Sequence, residues 1–212
     1  MSMKSCVIYG DSISTTNFSA GGFQQDLCDL LGAEKMINLA ENAAALSSGY
    51  PYSVYDKIMQ EKSDDDVQLV ILWAGTNDWY YGVPLGEYDS RLSTDFCGCL
   101  RGAVLKACEL YPKSAVICVS PIYRYSEYDG QTDKFQAFDT KNSAGYTLYD
   151  YYKAMQAVSE RVGFPLCDMR TLSAINSANH KIYLRDGVHP TVLGYKRIAN
   201  ILYDFAEKYI LK

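Results

Sequence analysis

The sequence has no apolar run approaching the roughly 18 residues that a membrane-crossing helix requires, so no bilayer span is expected. Its first apolar run, Cys6 to Tyr9, is shorter than the roughly 7 to 15 residues of a signal-peptide core, and Gly10-Asp11-Ser12 ends it. A basic cluster is missing too. The 20 Lys and Arg are dispersed against 25 Asp and Glu, leaving a net charge of −5 and no electrostatic footprint for nucleic acid. Neither GxGxxG nor GxxxxGK[ST] occurs, so a nucleotide cofactor has no phosphate cradle and no cofactor is expected. Histidine is scarce, with two in the chain, and the seven cysteines are odd in number and scattered. That pattern fits neither a disulfide framework nor a four-ligand zinc site. Cys97-x-Cys99 has a ligand-like spacing, but it falls in a helical pattern with no second pair nearby, so no metal is expected. Thiols inside apolar patterns, such as Cys6, Cys118 and Cys167, suit a reduced, cytosolic setting.

What the chain has is enough apolar material for one core: 48% hydrophobic and 21% charged residues over 212 positions, read as a single domain covering 1–212. Short β-rich runs at Cys6 to Tyr9, Met36 to Leu39, Val67 to Trp73, Ala115 to Val119 and Pro165 to Cys167 alternate with helical patterns. This is the βαβ signature of a parallel sheet covered on both faces. The spacing predicts helices over Tyr88 to Tyr111, with Leu92, Phe96, Leu100, Val104, Ala107 and Leu110 as the apolar stripe, and from Thr147 to Gly163, opened by a Thr147/Asp150 capping box. A last helix follows Pro190-Thr191, with a stripe through Val192, Tyr195, Ile198, Leu202, Phe205 and Tyr209. Asp64 to Asp66 is read as a solvated loop. The segment from Tyr123 to Tyr146 shows little periodicity and several aromatics, which suits a lid or pocket wall.

Three short turns carry the chemistry. Gly10-Asp11-Ser12 follows the first strand and places a hydroxyl where open parallel sheets bind ligands. Gly75-Thr76-Asn77-Asp78 follows another strongly apolar strand and delivers Asn77 to the same edge. Asp186-Gly187-Val188-His189 supplies an imidazole with a carboxylate three residues before it. Singly, each has an ordinary reading as a turn or helix cap. Together they supply what acyl transfer at neutral pH needs: a hydroxyl nucleophile (Ser12), an imidazole base (His189), a carboxylate to orient that base (Asp186) and an oxyanion donor (Asn77).

These blocks, in this order and spanning nearly the whole chain, resemble those of the SGNH, or GDSL, hydrolase family. The resemblance implies a flavodoxin-like three-layer α/β/α sandwich with a parallel sheet of about five strands in order 2-1-3-4-5. It also implies metal-independent esterase or lipase chemistry, with Ser12, His189 and Asp186 catalytic and the Ser12 backbone N–H and Asn77 amide in the oxyanion hole. One block departs. The family pattern of Asn, four residues, then Gly counts from Asn38 to Ala43. An Ala backbone N–H serves as donor where its φ and ψ fit, but a positive φ would strain it.

Asp11, Trp79, Tyr123 and Tyr125 are candidate substrate-binding residues. Trp79 and the tyrosines are open to a second reading as ordinary packing, and Tyr128 and Tyr146 share that ambiguity. His180, in a polar stretch, reads as an exposed loop residue, and Trp73 as core. The expected partner is a small-molecule or carbohydrate ester carrying a short acyl group such as acetyl. An O-acyltransferase using the same covalent intermediate and a non-catalytic carbohydrate-binding protein remain the competing readings. The oligomeric state is not legible.

Overall fold

The computed structural model describes residues 3–16, 21–126 and 135–210. Five parallel strands form one sheet: β1 (Met3–Gly10), β2 (Ala33–Asn38), β3 (Val67–Trp73), β4 (Ala115–Val119) and β7 (Leu166–Cys167), in spatial order β2-β1-β3-β4-β7. In chain order this is 2-1-3-4-5, as expected. A two-residue antiparallel pair, β5 (Tyr125–Ser126) and β6 (Phe135–Gln136), lies outside it.

Alternation along the strands builds two cores. Val7, Tyr9, Val70, Leu72, Val116 and Cys118 face one way and pack with residues of α2 (Val54–Gln60), α4 (Phe96–Leu110) and α5 (Leu148–Val162). Cys6, Ile8, Leu69, Ile71, Trp73, Ile117 and Val119 face the other way, beneath α1 (Gln24–Leu31) and α8 (Val192–Ala206). Strands buried on both faces are why the sequence shows continuous apolar runs rather than a polar–apolar alternation. Short helices α3 (Thr76–Tyr81), α6 (Met169–Leu172) and α7 (His180–Tyr183) follow β3, β7 and the loop after α6.

One helix expectation is met and two are refined. The Thr147/Asp150 capping box opens α5, and Gly163 closes it at φ +84°. α4 starts at Phe96 rather than Tyr88, because Asp95 caps it by accepting from the Gly98 N–H at 2.8 Å. Leu92 therefore lies before the helix and is 63% exposed; its carbonyl would stand 2.0 Å from a Cβ on Gly98, so the incoming chain crosses tightly over the first turn. α8 is capped by Thr191 and ends at Ala206; Val192 and Tyr209 fall outside its buried stripe, which runs through Tyr195, Ile198, Ala199 and Leu202.

Of the irregular 123–146 stretch, residues 127–134, with Tyr128, lie outside the described residues. The rest returns to the body: the Ala137 N–H donates to the Arg124 carbonyl at 3.1 Å, and Ala137 and Phe138 are buried.

Candidate active site

β1 and β3 pair with Gly10 opposite Trp73, so the turns that follow them leave the same sheet edge side by side. Gly10 is needed there, since a Cβ would stand 2.7 Å from both Ser14 Oγ and the Trp73 carbonyl. The chain then enters a 3-10 turn, Ser12–Ser14, capped by Asp11, whose Oδ1 accepts from the Ile13 N–H at 2.9 Å. This turn presents Ser12 at 8% exposure.

The imidazole arrives on the loop that leads into α8. Leu184 and Pro190 form an isolated bridge, and the Arg185 N–H donates to the His189 carbonyl at 2.8 Å, closing a tight turn. Gly187 inside it has φ +84°, and a Cβ there would meet the Tyr125 carbonyl at 1.7 Å, so only glycine fits. Asp186 Oδ1 accepts from the N–H groups of Val188 (3.0 Å) and His189 (2.8 Å), while Oδ2 lies 2.8 Å from His189 Nδ1. His189 Nε2 in turn lies 2.8 Å from Ser12 Oγ. A carboxylate facing Nδ1 favours the tautomer with its proton there, leaving Nε2 to accept from the Ser12 hydroxyl. Partial burial pushes the Asp186 carboxyl up, but the His189 ring and backbone donors, the histidine charge and the Val188 N–H outweigh it. Asp186 is held well below the usual carboxylate range.

The third wall is the loop after β2. Leu39 and Glu41 N–H groups donate to the Ile8 (2.8 Å) and Gly10 (3.0 Å) carbonyls, carrying the chain alongside β1 to the Ser12 turn. Thr15 Oγ1 lies 2.9 Å from Asn42 Oδ1 and 3.1 Å from the Ser12 carbonyl, joining the two turns. Ala43 has φ +63°, the left-handed conformation in which glycine is free and alanine strained. The sequence block that asks for glycine here therefore asks for a conformation, and Ala43 adopts it. Asn38, the first residue of that block, donates its side-chain amide to the Ser14 carbonyl at 2.8 Å. Asn77, in the first turn of α3, donates its amide to the Ala44 carbonyl at 2.9 Å, leaving its second N–H for another acceptor.

Asp78, which closes the Gly75–Asp78 turn, has a role that its sequence context does not reveal. It is fully buried and accepts from the Leu46 N–H (2.7 Å), the Ser47 N–H (3.0 Å) and Ser47 Oγ (2.6 Å), gripping the loop that carries Ala43. Burial nonetheless raises its pKa above the usual value, outweighing those donors. A buried clasp and a solvated turn Asp look alike in a sequence, so no signal distinguished them. Tyr81 adds another hold, its hydroxyl donating to the Ala43 carbonyl at 3.1 Å.

The candidate substrate-binding residues divide. Asp11 is 1% exposed, buried beside the Ser12 turn; burial first, tempered by the Ile13 N–H and the charges of His189 and Arg124, leaves its carboxyl pushed up to about 7. Trp79 and Tyr123 are also buried in the core; the Trp79 indole N–H donates to the Thr140 carbonyl, and the Arg124 guanidinium lies 5.2 Å over the Trp79 ring. Tyr125 is partly exposed and lines a surface groove with His180, Asp186 and Gly187. His180 is not a free loop residue; it opens α7, its ring 4.9 Å from Tyr125 and 5.6 Å from Tyr123. All seven cysteines are free thiols, and Cys97 and Cys99 are buried along α4.

The family model of the GDSL-like lipase/acylhydrolase family matches residues 8–197, from the first strand through the imidazole-bearing loop into α8. The chain belongs to the GDSL-like lipase/acylhydrolase family. Solved structures agree in fold. A protein from Lactobacillus plantarum superposes with a TM-score of 0.86 at 24% identity, covering 100% of both chains. The lipase/acylhydrolase from Enterococcus faecalis gives 0.64 at 14% identity over 99% of this chain and 98% of that one. A GDSL-like lipase from Bacteroides thetaiotaomicron gives 0.63 at 18% identity over 97% and 88%. At such identities the likeness is one of fold. Curated proteins give no match to the sequence. Membership of the GDSL-like family implies hydrolase chemistry on esters. Among the described residues, no helix is long and apolar enough to cross a membrane.

Proposed function

We propose that this GDSL-like protein is a serine esterase that removes a short acyl group, such as acetyl, from a carbohydrate or small alcohol through an acyl-enzyme on Ser12. The observation that carries this reading is the unbroken hydrogen-bonded line from Ser12 Oγ through His189 to Asp186, with both links at 2.8 Å. In the first half-reaction Ser12 Oγ bonds to the ester carbonyl carbon as its proton passes to His189 Nε2. The negative carbonyl oxygen is met by the N–H groups of Ser12 and Ala43 and by the Asn77 amide. Asp186 stabilises the imidazolium that forms. Collapse breaks the bond to the alkoxy oxygen, which leaves as the alcohol with the proton from His189. Water then repeats the sequence on the acyl-enzyme, returning the carboxylic acid and free Ser12.

Replacing Ser12 by Ala tests this. The expected result is loss of p-nitrophenyl acetate hydrolysis and of fluorophosphonate labelling, with the fold retained and a melting temperature within about 4 °C of the parent, since the substitution removes one hydrogen bond, to His189. Turnover retained by the variant rejects the assignment. An alcohol acceptor in place of water would make the same site an acyltransferase, which product analysis in mixed water and alcohol separates.

A further inference from the structure

A groove of about 480 Å³ opens beside the nucleophile turn, within the size range of small-molecule sites. Thr15, Thr16, Asn38, Glu41, Asn42 and Tyr52 line it. It adjoins the Ser12 turn and the loop that carries Ala43. Thr15 bonds to the Ser12 carbonyl, and Asn42 is the chain neighbour of Ala43.

The lining decides what the groove can take. Hydrocarbon is confined to the small Ala40, the threonine methyls and the Tyr52 ring. An acyl chain gains about 0.8 kcal/mol per methylene only against apolar surface, and here it would strip water from amide and carboxylate groups without replacing it. Asn42 spends its Oδ1 on Thr15, so its Nδ2 protons have no partner among the described residues. Glu41 binds Lys57 through Oε1, and Oε2 has no hydrogen-bond partner among the described residues. The groove thus offers donors on one residue and an acceptor on the next. A hydroxyl satisfies both, because it donates and accepts.

Tyr52 supplies the second observation. It holds φ +54°, unfavourable for any residue but glycine, and leaves its side chain 63% exposed. Left-handed backbone costs roughly 1–2 kcal/mol for such a residue, and core packing does not repay it at this exposure. The result is an exposed aromatic ring beside polar lining groups. Aromatic faces receive the C–H faces of pyranose rings, whose hydroxyls then point to the polar groups at the sides.

We infer that this groove receives the alcohol part of the ester and that this alcohol is a sugar, its ring on Tyr52 and its hydroxyls on Asn42 and Glu41. The inference rests on the esterase reading above. Three acetates separate the two: p-nitrophenyl acetate, an acetylated methyl pyranoside and hexyl acetate. The expected kcat/KM for the pyranoside acetate exceeds that for hexyl acetate by about tenfold or more, as a matched polar site requires. Tyr52→Ala raises KM for the pyranoside acetate by about fivefold, with kcat changed by less than about twofold, and Tyr52→Phe restores it. Ser12-dependent turnover of p-nitrophenyl acetate combined with preference for hexyl acetate, or with an unmoved KM in Tyr52→Ala, overturns the sugar groove and leaves the esterase reading standing. No Ser12-dependent turnover of any of the three overturns both.

Discussion

The side-chain amide of Asn77 donates to the Ala44 carbonyl at 2.9 Å, tying the first turn of α3 to the loop carrying Ala43. Asp78, the next residue, holds the same loop at Leu46 and Ser47. The Asn77 and Ala43 side of the site is thus anchored from β3, while Ser12 is anchored from β1, and the parallel pairing of those two strands sets their separation.

Ala43→Gly should leave the loop in place and remove the cost of a Cβ at φ +63°. The variant is expected to be more stable by about 1 kcal/mol, or about 2–4 °C in melting temperature, with turnover at least equal to the parent. Ala43→Val should move the other way, since a β-branched residue tolerates this conformation least. Urea unfolding beside p-nitrophenyl acetate kinetics checks both.

Asp78→Ala orphans two buried backbone N–H groups and the Ser47 hydroxyl. At roughly 1–3 kcal/mol for each buried group left without a partner, a loss of about 3 kcal/mol or more is expected. Asp78→Asn keeps one acceptor oxygen and should cost less. Equal unfolding midpoints for the alanine variant and the parent would dismiss the clasp.

Asp186→Asn keeps the side-chain shape but reverses the demand on His189 Nδ1, favouring the tautomer whose Nε2 carries the proton and cannot accept one from Ser12. A fall in kcat of about 10⁴ is expected. The stability effect depends on pH. Because the folded state holds Asp186 below its reference value of 3.8, its contribution is complete above that value and fades as pH falls through the lower folded value. The parent should therefore lose more stability on acidification than the variant does, which melts across the acid range will show.

Asp11 works in the opposite sense. Its folded pKa of about 7 lies above the reference 3.8, so between the two the folded state keeps a proton that the unfolded chain has released. Stability from this group falls as pH rises through that window. Asp11→Asn retains the oxygen that accepts from Ile13 and carries no such proton. The melting temperature of the variant relative to the parent should rise between about pH 5 and about pH 8. A difference independent of pH would place the Asp11 titration outside the window.

The sequence by itself determined the parallel sheet, the α5 capping box and the three turns that bear Ser12, Asn77 and the Asp186–His189 pair. These features depend on nearest neighbours: apolar runs long enough for buried strands, a cap beside its helix, and turns placed directly after strands. Only tertiary structure decided the start of α4, the burial of Trp79 and Tyr123, the aromatic setting of His180 and the role of Asp78. Each depends on which distant segment covers it: the chain crossing Gly98, Arg124 over Trp79, Tyr125 against His180, and the Leu46–Ser47 loop on Asp78. The value of Ala43 lay between the two. Its residue type was plain in the sequence, but its φ is set by a loop anchored at Glu41 on β1 and at Ala44 on Asn77, and no local pattern encodes a conformation imposed from both sides.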